Sequence, residues 1–138
     1  SCHTENSRDL IFLDAFSEKG MSPEIYNQLV FDCCNKMIEK DGILACNLWS
    51  GNKRFLLSVQ NCLQNTFGSN IFIPVTNRGN VVALSSHKKN IWKRLIQPDR
   101  LLRKYQQQFS IDFPHIAKAA INNNLSQWGK MLAFFRNF

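Results

Sequence analysis

Apolar and polar positions run in blocks along the 138-residue chain, and the period of the pattern changes from block to block. Leu10, Ile11, Phe12 and Leu13 are continuous apolar residues, which predicts a buried strand over Asp9–Phe16 of the kind covered on both faces. The loop Ser17–Met21 follows. Ser22-Pro23-Glu24 then reads as a helix start. Serine caps, proline suits the first helical position, and glutamate suits the positive end of the helix dipole. Ile25, Leu29, Cys33 and Met37 recur every four residues, with Tyr26 and Val30 widening the stripe. Lys40-Asp41-Gly42 ends this helix, the glycine being available for a left-handed cap.

Ile43–Trp49 predicts a second buried strand, and Lys53–Phe67 a second helix with Leu56, Val59, Leu63 and Phe67 facing inward. Asn70–Thr76 and Val81–Ser86 are two further strands. Between them "NRGN" supplies residues that tolerate positive φ, so the pair reads as a hairpin. Helices are expected over Asn90–Gln97, Asp99–Phe109, Asp112–Asn123 and Leu125–Phe135. The order β-α-β-α-β-β-α predicts an α/β fold, a parallel sheet covered by helices. Its closing antiparallel hairpin is a feature of the second half of a Rossmann-like, methyltransferase-type sheet. Residues 1–86 are expected to form that half-sheet, and residues 87–138 a basic helical C-terminal extension packed on it. Ligands of open α/β sheets sit outside the carboxyl ends of the strands. Asp14 lies at that end of the first strand, and Asn47 and Trp49 at that end of the second.

Composition changes the picture in three places. Apolar residues make up 44% of the chain and aromatics 12%, which argues for a folded core rather than disorder. The five cysteines have no C-x-x-C spacing and no histidine at ligand distance. They read as reduced thiols of a cytoplasmic protein, and no metal site is expected. The net charge of +7 is uneven: residues 87–138 hold ten Lys/Arg against two Asp/Glu. Such a stretch attracts polyanions, nucleic acid among them. No nucleic-acid motif accompanies it, and a solvated or docked helical face is the preferred reading. No apolar run approaches the roughly 20 residues that span a bilayer, so no membrane partner is expected.

The strings "DLIFLDAF", a glycine-containing loop, "SPEIYNQLVFDCCNKMIEKDGILACNLW" and the hairpin "FIPVTNRGNVVAL" together resemble the spermidine synthase family of aminopropyltransferases, over roughly residues 8–86. The resemblance implies a transferase that moves an aminopropyl group from decarboxylated S-adenosylmethionine to an amine. No permanently bound cofactor is implied; the sulfonium nucleoside is a co-substrate. The family's strand-terminal acid falls on Asp14, which would orient the amine and accept its proton. Ser17, Glu18, Asn47 and Thr76 become candidates for substrate contact, and Ala15 and Gly20 for contact with the sulfonium donor. The family commonly forms dimers, so self-association is expected. The Gly-rich nucleoside-cradling turn of the first half of such a sheet is absent from this sequence. The chain is therefore expected to be the C-terminal half of a longer protein and inactive alone.

The sequence also departs from the family. Ser17 stands where the family loop carries a second acid, with Glu18 beside it. Val75, Thr76 and Asn77 follow Pro74 where the family has an aromatic hydroxyl, and Asn47 stands where glutamine is frequent. Much of the diamine-reading shell is thereby replaced. An S-adenosylmethionine-dependent methyltransferase is the alternative among enzymes. A non-catalytic homologue binding a partner through its basic tail is the alternative outside them. Residue by residue, Asp14 also reads as a loop-initiating acid, Asn47 as a bond to loop backbone, and Trp49 as a cover over a core edge. His3, His87 and His115 have no partner that suggests a triad.

Overall fold

The computed structural model describes residues 8–75, 77–89 and 99–135. The expected helix Asn90–Gln97 and the candidate Thr76 lie outside the described residues. Strands β1 (Arg8–Leu13), β4 (Ile38–Trp49), β5 (Ser69–Pro74) and β6 (Asn80–Ser86) form one sheet in the order β1-β4-β6-β5. β1 and β4 run parallel, joined through helix α1 (Gln28–Met37). β6 lies antiparallel to both β4 and β5. The expected hairpin is present, and its second strand rather than its first lies beside β4.

Helices α1 and α2 (Lys53–Thr66) cover one face of this sheet. Phe31, Cys34, Val59 and Leu63 meet Leu44, Cys46, Leu48 and Ala83 there in a single apolar cluster. Burying side chains such as Phe31 and Leu63 contributes about 1.5–3 kcal/mol each. On the other face α4 (Phe113–Phe135) packs along β5, where Ala120 meets Ile71, Ile73 and Leu84. Helix α3 (Asp99–Phe109) keeps its expected limits and precedes α4.

Four local expectations are corrected. The strand expected over Asp9–Phe16 ends at Leu13 and is not covered on both faces. β1 lies at the end of the strand order, paired among the described residues only with β4, and Leu10 and Phe12 are 49% and 72% exposed. The segment from Ser22 makes only one turn, closed by the amides of Ile25 and Tyr26 on the Ser22 carbonyl. Helix α1 starts afresh under Asn27. The Asn27 amide donates to the carbonyls of Pro23 and Glu24, and its oxygen accepts from the Val30 amide. This one side chain closes the first turn and caps the next helix, so the apolar stripe counted from Ile25 runs across a break. Phe31 and Cys34 form the buried face instead, and Leu29 is 77% exposed.

Helix α1 also ends early, at Met37, and Lys40-Asp41-Gly42 lie inside β4. The register between β1 and β4 jumps there, from Arg8↔Ile38 to Leu10↔Ile43. A Cβ on Gly42 would sit 2.9 Å from the Arg8 carbonyl oxygen. The glycine allows a close backbone approach at this irregularity, and it is not a left-handed cap. Finally, the separate helices expected over 112–123 and 125–135 are one helix, α4. The asparagines at the supposed break are used on the sheet. Asn124 donates to the carbonyl of Phe72 and accepts from its amide, while Asn123 donates to the same carbonyl. The outer edge of β5 is thus satisfied by side chains at the point where another strand would pair.

Candidate functional site

The parallel register pairs Leu13 with Cys46, so the next residue on each chain, Asp14 and Asn47, stand side by side at the carboxyl end of the sheet. Strand alternation sends Leu44, Cys46 and Leu48 into the core, which leaves Asn47 and Trp49 on the opposite face. Asp14 is exposed. The Asn47 amide donates to its Oδ1 at 3.1 Å, and the Asn47 oxygen accepts from the Asn80 amide at 2.9 Å. A line of three polar side chains therefore runs from the start of β6, across β4, to the end of β1.

The backbone around Asp14 is held from beneath by Tyr26. The amide of Ala15 donates to the Tyr26 hydroxyl at 3.1 Å. That hydroxyl donates to the Asn47 carbonyl at 2.8 Å and lies 3.2 Å from the Leu13 carbonyl. The ring is buried. One phenol thus ties the residues on both sides of Asp14 to the end of the neighbouring strand. Burial raises the Tyr26 pKa; the Ala15 hydrogen bond opposes the rise, and the Cys46 thiol and the Asp14 carboxylate add to it. Burial also pushes the Cys46 thiol up to about 12, with Cys34 adding to the shift.

A second set of contacts gathers the loops at this end. Phe16–Ser17 (β2) and Gly20–Met21 (β3) form a small hairpin behind Asp14 that the hydropathy pattern did not anticipate. Gly20 has φ +109°, and a Cβ there would sit 2.8 Å from the Trp49 ring. A Cβ on Gly51 would overlap the same indole. The Met21 sulfur accepts from the Trp49 amide, and the Ser50 amide and hydroxyl both donate to the Gly79 carbonyl. Trp49 thus packs among glycine-containing turns.

Of the residues singled out from sequence, Asp14 and Asn47 are brought into direct contact. Asn47 spends its side chain on Asp14 and Asn80 rather than on loop backbone. Ser17 closes its own turn, its hydroxyl donating to the Gly20 carbonyl and accepting from the Lys19 amide. Glu18 is exposed at the hairpin tip. Ala15 offers the site its backbone, and Gly20 lies against Trp49. His87 lies against the Phe67 ring and 3.3 Å from the Asn35 carbonyl, away from Asp14 in its bonding. Tyr26 and Asn80 were missed. Tyr26 read as one more apolar position of a helix, although a buried tyrosine needs a partner for its hydroxyl. Asn80 read as a turn residue. Among the described residues no three His, Cys, Asp or Glu side chains converge as metal ligands, and no helix is long and apolar enough to cross a membrane.

The chain is 27% identical over 108 residues to the polyamine aminopropyltransferases of two strains of Neisseria meningitidis, of serogroups A and B. The chain resembles the polyamine aminopropyltransferases. A polyamine aminopropyltransferase of Chromobacterium violaceum is likewise 27% identical, over 79 residues and 57% of this chain. The Neisseria alignments take in 75% of this chain, which spans 41% of the length of those relatives. No family model matches the chain. In fold, 62% of the chain superposes on 33% of a probable spermidine synthase from Corynebacterium glutamicum, with TM-score 0.55 and 21% identity. It superposes equally widely on 41% of human methyltransferase-like protein 13, solved in complex with SAH, with TM-score 0.57 and 19% identity. The fold is therefore the α/β, Rossmann-like sheet that aminopropyltransferases share with methyltransferases, as its strand order and closing hairpin had indicated.

Proposed function

We propose that this chain is the acceptor-side part of an aminopropyltransferase, with Asp14 as the group that holds and deprotonates the amine. The observation that carries this reading is the exposed Asp14 carboxylate at the carboxyl end of β1, held by the Asn47 amide in a chain related to polyamine aminopropyltransferases. An ammonium is no nucleophile, so a carboxylate at hydrogen-bond range is needed to bind it and take its proton. The freed nitrogen pair attacks the propyl carbon next to the sulfonium of decarboxylated S-adenosylmethionine. The carbon–sulfur bond breaks, its electron pair leaves on sulfur as a neutral thioether, and the amine proton passes to Asp14. The donor is already activated by its positive charge, so most of the remaining gain is alignment. Tyr26 and Asn47 supply that alignment by fixing the backbone and one oxygen of Asp14.

The reading includes a longer protein that completes the donor site, a cytoplasmic setting suited to the thiols Cys33, Cys34, Cys46 and Cys62, and self-association. Leu10 and Phe12 on the outermost strand β1 are 49% and 72% exposed, an apolar edge that favours pairing. The test is turnover by the full-length protein with decarboxylated S-adenosylmethionine and a panel of amines, with Asp14→Asn in parallel. Aminopropylated product that disappears in the variant supports the reading; no transfer to any amine sinks it. The fold likeness to a methyltransferase solved with SAH motivates a second reading, transfer of a methyl group. Methylated product with S-adenosylmethionine, and none with the decarboxylated donor, would establish that one instead.

A further inference from the structure

We infer that Asn80 is a positioning residue that sets which end of the Asn47 amide faces Asp14. The inference rests on Asp14 acting as the proton acceptor proposed above. An ionised carboxylate only accepts hydrogen bonds, whereas a carboxamide has a donating end and an accepting end. Asn47 stands between Asp14 and Asn80, at 3.1 Å from Asp14 Oδ1 and 2.9 Å from the Asn80 amide nitrogen. Its two orientations are therefore not equivalent. With its nitrogen toward Asp14 both contacts are hydrogen bonds. Turned by half a rotation, its oxygen would face the carboxylate and its nitrogen would face the Asn80 nitrogen, and both contacts would repel.

Asn80 is suited to enforce the first orientation because its backbone is fixed. It opens β6 opposite Trp49, and its carbonyl accepts from the Val75 amide at 2.9 Å, closing the β5–β6 turn. The position from which its side chain reaches Asn47 is thus referred to the hairpin rather than to a mobile loop. The consequence at the site is specific. Asp14 Oδ1 is occupied by a neutral donor, and Oδ2 is left to take the amine proton. The closing hairpin of the sheet thus reaches the base through the Asn47 side chain.

The decisive variant is Asn80→Asp, close in shape but unable to donate when ionised. The new carboxylate at position 80 draws the Asn47 nitrogen to itself and turns its oxygen toward Asp14. Asn80→Ala removes the donor without adding charge, and serves should the first variant fail to fold. The experiment is side-chain amide NMR on the full-length, 15N-asparagine-labelled protein, with the Asn47 signal assigned by its loss in Asn47→Leu. In the wild-type background Asp14→Asn should move the Asn47 amide signal. In the Asn80→Asp background the same change should leave it in place, and in the Asn80→Ala background the response should shrink. Steady-state kinetics should show kcat down about 10-fold, the size of one lost hydrogen bond, with KM for the sulfonium donor unchanged. An Asn47 signal that answers Asp14→Asn equally in all three backgrounds overturns the inference. If the signals behave as expected but no amine is aminopropylated, the geometry stands and the proposed reaction falls.

Discussion

Two places in this molecule use asparagine amides beside a strand, and they do opposite things with them. At the outer edge of β5, Asn123 and Asn124 of α4 bond the amide and carbonyl of Phe72. Each group that they bond there is a backbone group that must be paired once buried. At the carboxyl end of β1 and β4, Asn80 and Asn47 pass their hydrogen bonds along to an exposed carboxylate, Asp14. That carboxylate keeps accepting capacity that the protein does not use up. The first arrangement closes a sheet edge. The second holds an exposed carboxylate still while leaving it open to solvent. What separates the two uses of the amide is thus where the chain of donors ends.

The comparison can be broken at either end. The largest effect belongs to the open end: Asp14→Asn in the full-length protein should cut aminopropyl transfer by about 10²–10⁴-fold, the usual range for a lost general base, measured as initial rates at saturating donor. Retained activity would make Asp14 a plain loop acid. Tyr26→Phe should lower unfolding free energy by about 1–3 kcal/mol, read from urea midpoints, because the Ala15 amide and Asn47 carbonyl lose their buried partner. It should also lower kcat. A stability loss with kcat untouched would reduce the clamp to a structural contact.

The closed end predicts the reverse pattern. Asn124→Ala should cost about 1–2 kcal/mol of stability, leave KM and kcat unchanged, and increase concentration-dependent aggregation seen by light scattering, since the β5 edge is uncovered. Altered kinetics without altered stability would erase the distinction between the two ends. The smallest effect concerns the core under the site. Cys46 is raised from 9.0 to about 12 in the folded chain. The folded state therefore holds its proton where the unfolded state has lost it. The stability tied to this thiol is whole below pH 9 and is lost as pH rises toward 12, at no more than about 1.4 kcal/mol per pH unit. Urea midpoints measured across that window should fall less steeply in Cys46→Val. Equal slopes would show that the thiol does not contribute.

Several of these features were legible in the chain itself. Continuous apolarity marked Leu10–Leu13 as a strand but not its place at the end of the sheet, where Leu10 and Phe12 stay exposed. The stripe Leu56, Val59, Leu63 and Phe67 and the "NRGN" turn follow from local chemistry, a helical period and tolerance of positive φ. Asn77 at φ 58° is that tolerance in use. Asp14 at a strand end was visible for the same reason, since one acid after an apolar run marks where a strand leaves the core. The α1 stripe failed because Asn27 bonds backward and forward at once, which spacing alone does not reveal.

The sequence by itself therefore determined the order of the main strands and helices, though not the limits of α1, β4 and α4 or the β2–β3 hairpin, and the placing of one carboxylate at the carboxyl end of β1. These depend on periodicity and on neighbours a few residues apart. Only the tertiary structure decided what that carboxylate leans on. Tyr26 and Asn47 meet across 21 residues, Asn47 and Asn80 across 33. The register of β4 against β1 and β6 selects those partners, and register is a property of paired strands that no single segment carries.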